Sequence, residues 1–309
     1  MPYDLSSRLV IGLASSALFE LSESDRVFRE AGEAVYRQHQ LDHRADILKP
    51  GVAFPFIKRL LSLNALRPGD PLVEVILLSK NDPDTGLRVM DSIAAHGLAI
   101  SRAVFLQGRS PHRYIEPLRI SLFLSADEAD VRDANAAGHA AGQVLQSSFV
   151  DAADDDELRI AFDFDGVLAD DQSEAVFQRD GLASFHDHER RHAATPVNPG
   201  PLAPFLRKLR QIQALEEQQA LADRDYRRKL RVSIVTARDA PSHERVITTM
   251  RDWGVTVNEA FFLGGIEKRA VLSVLKPHIF FDDQQHHLTP AAADLPCVHI
   301  PFGMLNRPR

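Results

Sequence analysis

The sequence predicts an α/β protein made of two tandem domains, each a parallel sheet with covering helices, the second half repeating the frame of the first. Three observations carry this prediction. Short apolar runs such as residues 158–162, 231–236 and 278–281 end in polar residues and alternate with helical stretches, the pattern of buried parallel strands and their crossovers. Residues 9–60 match residues 158–209 at a constant offset of 149, which carries Ser24, Val27, Phe28, Gly32 and His39 onto Ser173, Val176, Phe177, Gly181 and His188, and Pro50-Gly51 onto Pro199-Gly200. Further on the offset becomes 157, carrying Asp82, Arg88, Val89, Gly97, Phe105, Leu106 and Gly108 onto Asp239, Arg245, Val246, Gly254, Phe262, Leu263 and Gly265. The 8 extra residues lie in the polar stretch between about 211 and 229, so one insertion accounts for the whole register.

The elements follow in order. Residues 1–150 form the first domain, opened by a strand-length run at 9–13. Residues 151–157 (Asp-Ala-Ala-Asp-Asp-Asp-Glu) have almost no apolar content and read as a solvated linker. The second domain, 158–309, begins with a strand that runs into Asp163-Phe164-Asp165-Gly166. Residues 171–230 are too many for a loop and predict helices at 173–192 and 204–228, forming a small cap over the strand ends. A strand at 231–236 leads into Ala237-Arg238-Asp239 and a helix from near Ser242. Phe261-Phe262-Leu263 precedes the turn Gly264-Gly265 and Lys268, and the strand at 278–281 ends in Asp282-Asp283.

Chemistry is concentrated at these strand ends, where open α/β sheets bind ligands. Asp163 and Asp165 can both be aimed at one point beyond the sheet edge, where two acids either hold a cation or repel each other. They predict a Mg²⁺-supported phosphoryl-transfer site, with Asp163 as nucleophile and Asp165 as the acid that protonates the leaving oxygen and then activates water. Thr236 and the backbone of Ala237 and Arg238 are placed to hold phosphate oxygens. Lys268 can neutralise both Asp163 and the phosphate, and Asp282 with Asp283 supplies the remaining metal carboxylate. Arg238 can reach a substrate oxygen or pair with Asp239 at the surface. His186, His188 and His192 have helical spacing, but no Cys accompanies them and zinc is not expected there. His286 and His287 read as solvated loop residues.

These four segments resemble the motifs of the haloacid dehalogenase superfamily. A dehalogenase has no oxygen leaving group to protonate, so Asp165 favours phosphate chemistry. The fold this resemblance implies is a tandem pair of Rossmann-like haloacid dehalogenase-type domains, only the second of them catalytic. At the matching positions of the first half Asp163 becomes Ala14, Asp165 becomes Ser16, Lys268 becomes Pro111, Asp282 becomes Ser125 and Asp283 becomes Ala126; Thr236 alone keeps a hydroxyl, as Ser79. The first half is therefore expected to be catalytically silent, with a structural, capping or effector-binding role. Its loop Gly108-Arg109-Ser110-Pro111-His112-Arg113-Tyr114 is expected to be solvated, to bind the phosphate of a nucleotide effector, or to lean into the active site of the other half.

A narrower resemblance covers nearly the whole chain. Leu13-Ala14-Ser15-Ser16-Ala17-Leu18-Phe19, Val75-Ile76-Leu77-Leu78-Ser79-Lys80-Asn81 and Phe280-Phe281-Asp282-Asp283-Gln284 are similar to the cytosolic 5'-nucleotidase I family and its bacterial relatives. That resemblance implies Mg²⁺-dependent hydrolysis of nucleoside 5'-monophosphates such as AMP, in a cytosolic homo-oligomer. One departure concerns the nucleophile motif, DGDAV in that family and Asp163-Phe164-Asp165-Gly166-Val167 here. Two other functions fit the same motifs: a phosphatase or phosphomutase for sugar phosphates, and a non-enzymatic nucleotide sensor.

Composition narrows the partners. With 44% apolar residues among 309, the chain can bury two cores. A net charge of −7 without a basic stripe argues against nucleic acid. No apolar run approaches the roughly 20 residues that span a bilayer, and the start Met1-Pro2-Tyr3-Asp4 is not that of a signal peptide. The single cysteine, Cys297, excludes an internal disulfide and suits a reducing cytoplasm.

Overall fold

The computed structural model describes residues 3–152 and 155–306. The chain forms two compact units, Met1–Val144 and Leu145–Arg309. In the first unit the order is β1 (Leu9–Leu13), α1 (Ser15–Leu18), α2 (Ser22–Asp42), α3 (Phe54–Ser62), β2 (Val73–Ser79), α4 (Gly86–Ala95), β3 (Arg102–Phe105), β4 (Leu122–Ser125), α5 (Glu128–Ala136) and β5 (Ala141–Val144). Its strands lie in the order β3-β2-β1-β4-β5, every pairing parallel. Buried strands such as β2, with all seven residues inside, need mostly apolar side chains on both faces, which gives the run 75–78 between the buried polar residues Glu74 and Ser79.

The second unit contains β6 (Leu158–Phe162), α6 (Gln172–Arg191), α7 (Ala203–Ala222), β7 (Leu230–Thr236), α8 (His243–Asp252), β8 (Glu259–Phe262), α9 (Lys268–Leu275), β9 (Ile279–Asp282), α10 (Gln285–Ala292) and β10 (Cys297–His299). Its order, β8-β7-β6-β9-β10, is again all parallel and takes its strands in the same sequence as the first unit. Each unit is thus a Rossmann-like α/β layer structure whose first strand is central, and whose order reverses beside that strand. On one face of the second sheet, Ala161, Val235, Phe280 and Cys297 pack under Leu272, Leu288 and Ala291 of α9 and α10. On the other, the rings of Phe162, Phe205 and Phe281 meet at centroid distances of 5.2 to 6.1 Å.

Several expectations shift. The helix expected over 173–192 is two helical stretches joined at Gly181, whose φ of 78° and ψ of 179° leave helical space and favour glycine. The helix expected over 204–228 stops at Ala222, because the chain must fold back for Glu216 to accept from Lys229 N (2.7 Å), Leu230 N (3.0 Å) and the Tyr226 hydroxyl (2.8 Å). Within the stretch 171–230, α7 packs Phe205 onto the sheet against Phe162. The expected linker 151–157 includes two residues, 153 and 154, outside the described ones. Its last acids are engaged: Asp155 and Glu157 pair with Arg159 (2.7 and 3.0 Å), and Asp156 pairs with Lys229 (2.7 Å). No helix among the described residues is long and apolar enough to cross a membrane.

Candidate active site

The site is built where β6, β7 and β9 end. Parallel strands in register bring Asp163, Thr236 and Asp282 to one edge, since each follows or closes a strand that pairs with β6. The Asp163 N–H completes the ladder by donating to the Phe281 carbonyl (2.8 Å), so the carboxylate is aimed by the sheet itself. Asp163 is 3% exposed; it accepts from the Phe164 N–H (2.7 Å) and from Lys268 Nζ (2.9 Å). Beyond it the chain makes one wide turn, closed by the Ala169 N–H on the Phe164 carbonyl (2.8 Å), with Gly166 at φ 70°.

Gly166 leaves room for Asp283. A Cβ at Gly166 would sit 2.5 Å from Asp283 Oδ2 and 2.6 Å from its Cγ, so the carboxylate lies directly against the turn. Asp283 is 4% exposed, and its Oδ1 is buried without a hydrogen-bond partner among the described residues. Burial, reinforced by Asp163 and Asp282 nearby, pushes its carboxyl up to about 9. Asp163 rises to about 7, mainly by burial, with Lys268 opposing and Asp282 and Asp165 adding to the rise. Buried acids crowded this way, one with an orphaned oxygen, could hold a hard divalent cation such as Mg²⁺.

Asp282 is placed differently from its neighbour. Its carboxylate accepts from Lys268 Nζ (2.7 Å) and Gln284 N (2.8 Å), and His287 Nδ1 lies 3.2 Å away. Burial pushes Asp282 up, but Lys268 and His287 more than reverse this and hold it below its usual range. Lys268 opens α9 at 2% exposure; burial works against its charge, and Asp163 and Asp282 outweigh burial to hold its pKa above the usual value. Among the described residues, Asp163, Asp282 and His287 are the one group spaced as metal ligands, yet the Lys268 ammonium already sits on both acids. That cluster is a cation site filled by a side chain.

Thr236 is 1% exposed and its Oγ1 accepts from the Arg238 N–H (3.2 Å). Ala237 is exposed, beside Thr236 at the mouth of the strand ends. Arg238 is not the surface partner of Asp239. It is 3% exposed and forks onto Asp165 through Nε and Nη2, both at 2.7 Å, while Nη1 donates to Glu189. Burial lowers its pKa and the two acids more than restore it. Asp239 instead accepts from His186 Nε2 (3.0 Å), and His188 and His192 pack ring against ring.

Sequence reasoning singled out neither Glu189 nor Arg245, and it left His287 in a solvated loop. Glu189, wholly buried, gathers Ser173 (2.8 Å), Arg238 and Arg245 (3.0 Å). A signal existed, since Ser173 and Arg245 are both identities of the internal match, falling on Ser24 and Arg88.

The arrangement offers a buried carboxylate pinned by an ammonium, a second carboxylate held by a guanidinium, and a cluster of acids that could hold a cation. Residues 1–307 match the model of the 5'-nucleotidase family. Human cytosolic 5'-nucleotidase 1B is 34% identical over 293 residues, which is 92% of this chain and 47% of that protein, so the chain spans about half the length of this relative. No solved structure matches the chain. With its whole length matched by the family model and its strand ends carrying this set of side chains, the chain belongs to the 5'-nucleotidase family.

Proposed function

We propose that the chain hydrolyses nucleoside 5'-monophosphates of the AMP type to nucleoside and phosphate, at the strand ends of the second unit. The observation that carries this reading is the pairing of Asp163 with Lys268 beside the orphaned oxygen of Asp283. Asp163 attacks phosphorus in line, and the Lys268 ammonium, the Thr236 hydroxyl and nearby backbone N–H groups neutralise the transferred phosphoryl. Asp165 gives a proton to the departing 5'-oxygen and then takes one from the water that releases phosphate from Asp163. Asp163, the Asp165 carbonyl oxygen and Asp283 would hold Mg²⁺, which would supply positive charge against the phosphoryl oxygens and relieve the crowding of the acids. Asp282 then serves by orienting Lys268.

The two units are read as an internal duplication, supported by the shared strand order and by the two sequence offsets. The first unit is read as silent, since Ala14, Ser16, Pro111, Ser125 and Ala126 stand where the second carries its charges. Its role is structural, capping or effector-binding. Helix α6 is read as a small cap, and a cytoplasmic homo-oligomer is the proposed form of the protein. Phosphate release from a panel of nucleoside monophosphates and sugar phosphates, with and without Mg²⁺, tests the reading. Mg²⁺-dependent turnover of nucleotides, lost in Asp163→Asn, supports it; turnover of sugar phosphates alone overturns the substrate.

A further inference from the structure

We infer that Glu189 is a positioning residue for the leaving-group step, acting through Arg238 on Asp165; this rests on the functional reading above. Every polar atom of the Arg238 guanidinium is committed. Nε and Nη2 hold the two oxygens of Asp165 at 2.7 Å, and Nη1 is held from behind by Glu189, with the Ser242 carbonyl at 3.3 Å. The group is planar, so fixing Nη1 fixes the direction of the fork. The rings of Phe164 and Phe185, 5.1 and 5.4 Å from its central carbon, close the sides. The fork occupies one lone pair on each Asp165 oxygen and fixes where the remaining ones point, so its placement is a condition of the chemical step.

Glu189 also has the means to be rigid. It stands on α6 after the Gly181 kink, and Ser173, before the kink, donates to it at 2.8 Å, joining the two stretches of the helix. Arg245 of α8 donates to the same oxygen at 3.0 Å. Which arginine the carboxylate serves is settled by the internal match. In the first unit Arg245 is retained as Arg88 and Ser173 as Ser24, but Glu189 becomes the neutral Gln40, whose Oε1 accepts from Arg88 at 3.1 Å. Arg238 becomes Asn81 and Asp165 becomes Ser16. An amide therefore suffices for the arginine on α4. The carboxylate is present where Arg238 and Asp165 are present, and absent where they are absent.

The test is a double-mutant cycle between Glu189→Gln and Arg238→Lys, read as kcat and KM for a turned-over nucleotide, beside melting temperatures. Glu189→Gln is expected to lower kcat about ten- to a hundredfold, with KM changed less than about threefold, and to cost less than about twofold in the Arg238→Lys background. Equal losses in both backgrounds, or a lower melting temperature with kcat of the folded enzyme intact, overturn the inference. If Glu189→Gln does not fold, Ser173→Ala loosens the same carboxylate: a severalfold loss of kcat confined to the Arg238 background supports the inference, and no loss overturns it. A wild-type protein that releases no phosphate from any ester sinks the functional reading instead, whereas an active wild type with additive losses sinks Glu189 alone.

Discussion

Replacing Gly166 by alanine tests the metal cradle with a single methyl group. The residue sits at φ 70°, where an L side chain costs on the order of 1 kcal/mol. The new Cβ would lie 2.5 Å from Asp283 Oδ2, against about 3.5 Å for an ordinary contact, so something must retreat by about 1 Å. The Asp283 backbone is held: His299 Nε2 lies 3.0 Å from its carbonyl, and Asn306 Nδ2 donates to the same oxygen at 2.9 Å. The side chain therefore yields, leaving its rotamer at about 1 kcal/mol more. Stability is expected to fall by roughly 2 kcal/mol. The larger effect is on the site, because a carboxylate displaced by about 1 Å costs about a hundredfold in turnover. The assay is a Mg²⁺ titration of phosphate release, with a thermal melt alongside. The variant should need at least about tenfold more Mg²⁺ for half-maximal rate. A Gly166→Ala enzyme with unchanged Mg²⁺ dependence and kcat within about threefold of wild type would refute the placing of the cation between the turn and Asp283.

Three further outcomes are expected. Lys268→Met keeps the bulk but strips two buried carboxylates of their cation, so unfolding free energy should drop by about 3–5 kcal/mol and turnover should vanish; a melting temperature within a degree or two of wild type contradicts the ion-pair account. In EDTA, stability should decline as pH rises from 5 to 9. Asp163 and Asp283 are raised in the folded state from 3.8 to about 7 and about 9, so the native state binds more protons across that window, and a contribution complete below pH 4 is lost as each carboxyl ionises. Mg²⁺ should accordingly raise the melting temperature more at pH 8.5 than at pH 5.5, and an equal rise at both would refute the linkage. Lys80→Met in the first unit breaks the pairs with Asp127 and Asp130, both at 2.8 Å; with the lysine side chain 35% exposed the loss should be about 1 kcal/mol, and kcat should stay within about twofold. A larger fall in kcat would mean that the first unit takes part in the chemistry.

Much of the fold was legible because parallel strands buried on both faces leave short, mostly apolar runs, broken by Glu74 in β2 and by Arg231 and Ser233 in β7, and because the two sequence offsets align the strands of one unit with those of the other. The acids of the site were legible for the same reason, since Asp163 and Asp282 sit at the ends of such runs. Their division of labour was not. Asp282 and Asp283 are adjacent and alike in sequence, yet consecutive residues point apart at a strand end, one toward Lys268 and the other toward Gly166. The partner of Arg238 was equally hidden, because Glu189 lies in a run of charges, His188-Glu189-Arg190-Arg191, that reads as a solvated helix face. Only the kink at Gly181, with Ser173 reaching across it, turns that carboxylate inward.

The two units show how little of this frame is specific to catalysis. Arg88 and Arg245 hold matching loops by the same contact, donating from Nε to the carbonyls of Asp46 (3.0 Å) and Thr195 (2.8 Å), and both rest on an acceptor from the kinked helix. Charge at the strand ends is balanced in both units as well, but by different residues. In the first, Lys80 stands at the position of Ala237 and reaches Asp130, at the position of His287. In the second, the cation comes from α9 and meets acids that close the strands themselves. Compensation is therefore a requirement of burying polar groups at a parallel sheet edge, whatever the edge is for. Asp283 Oδ1, at the strand ends of the second unit, is one of the buried polar atoms without a hydrogen-bond partner among the described residues, and on the proposed reading the chemistry begins there.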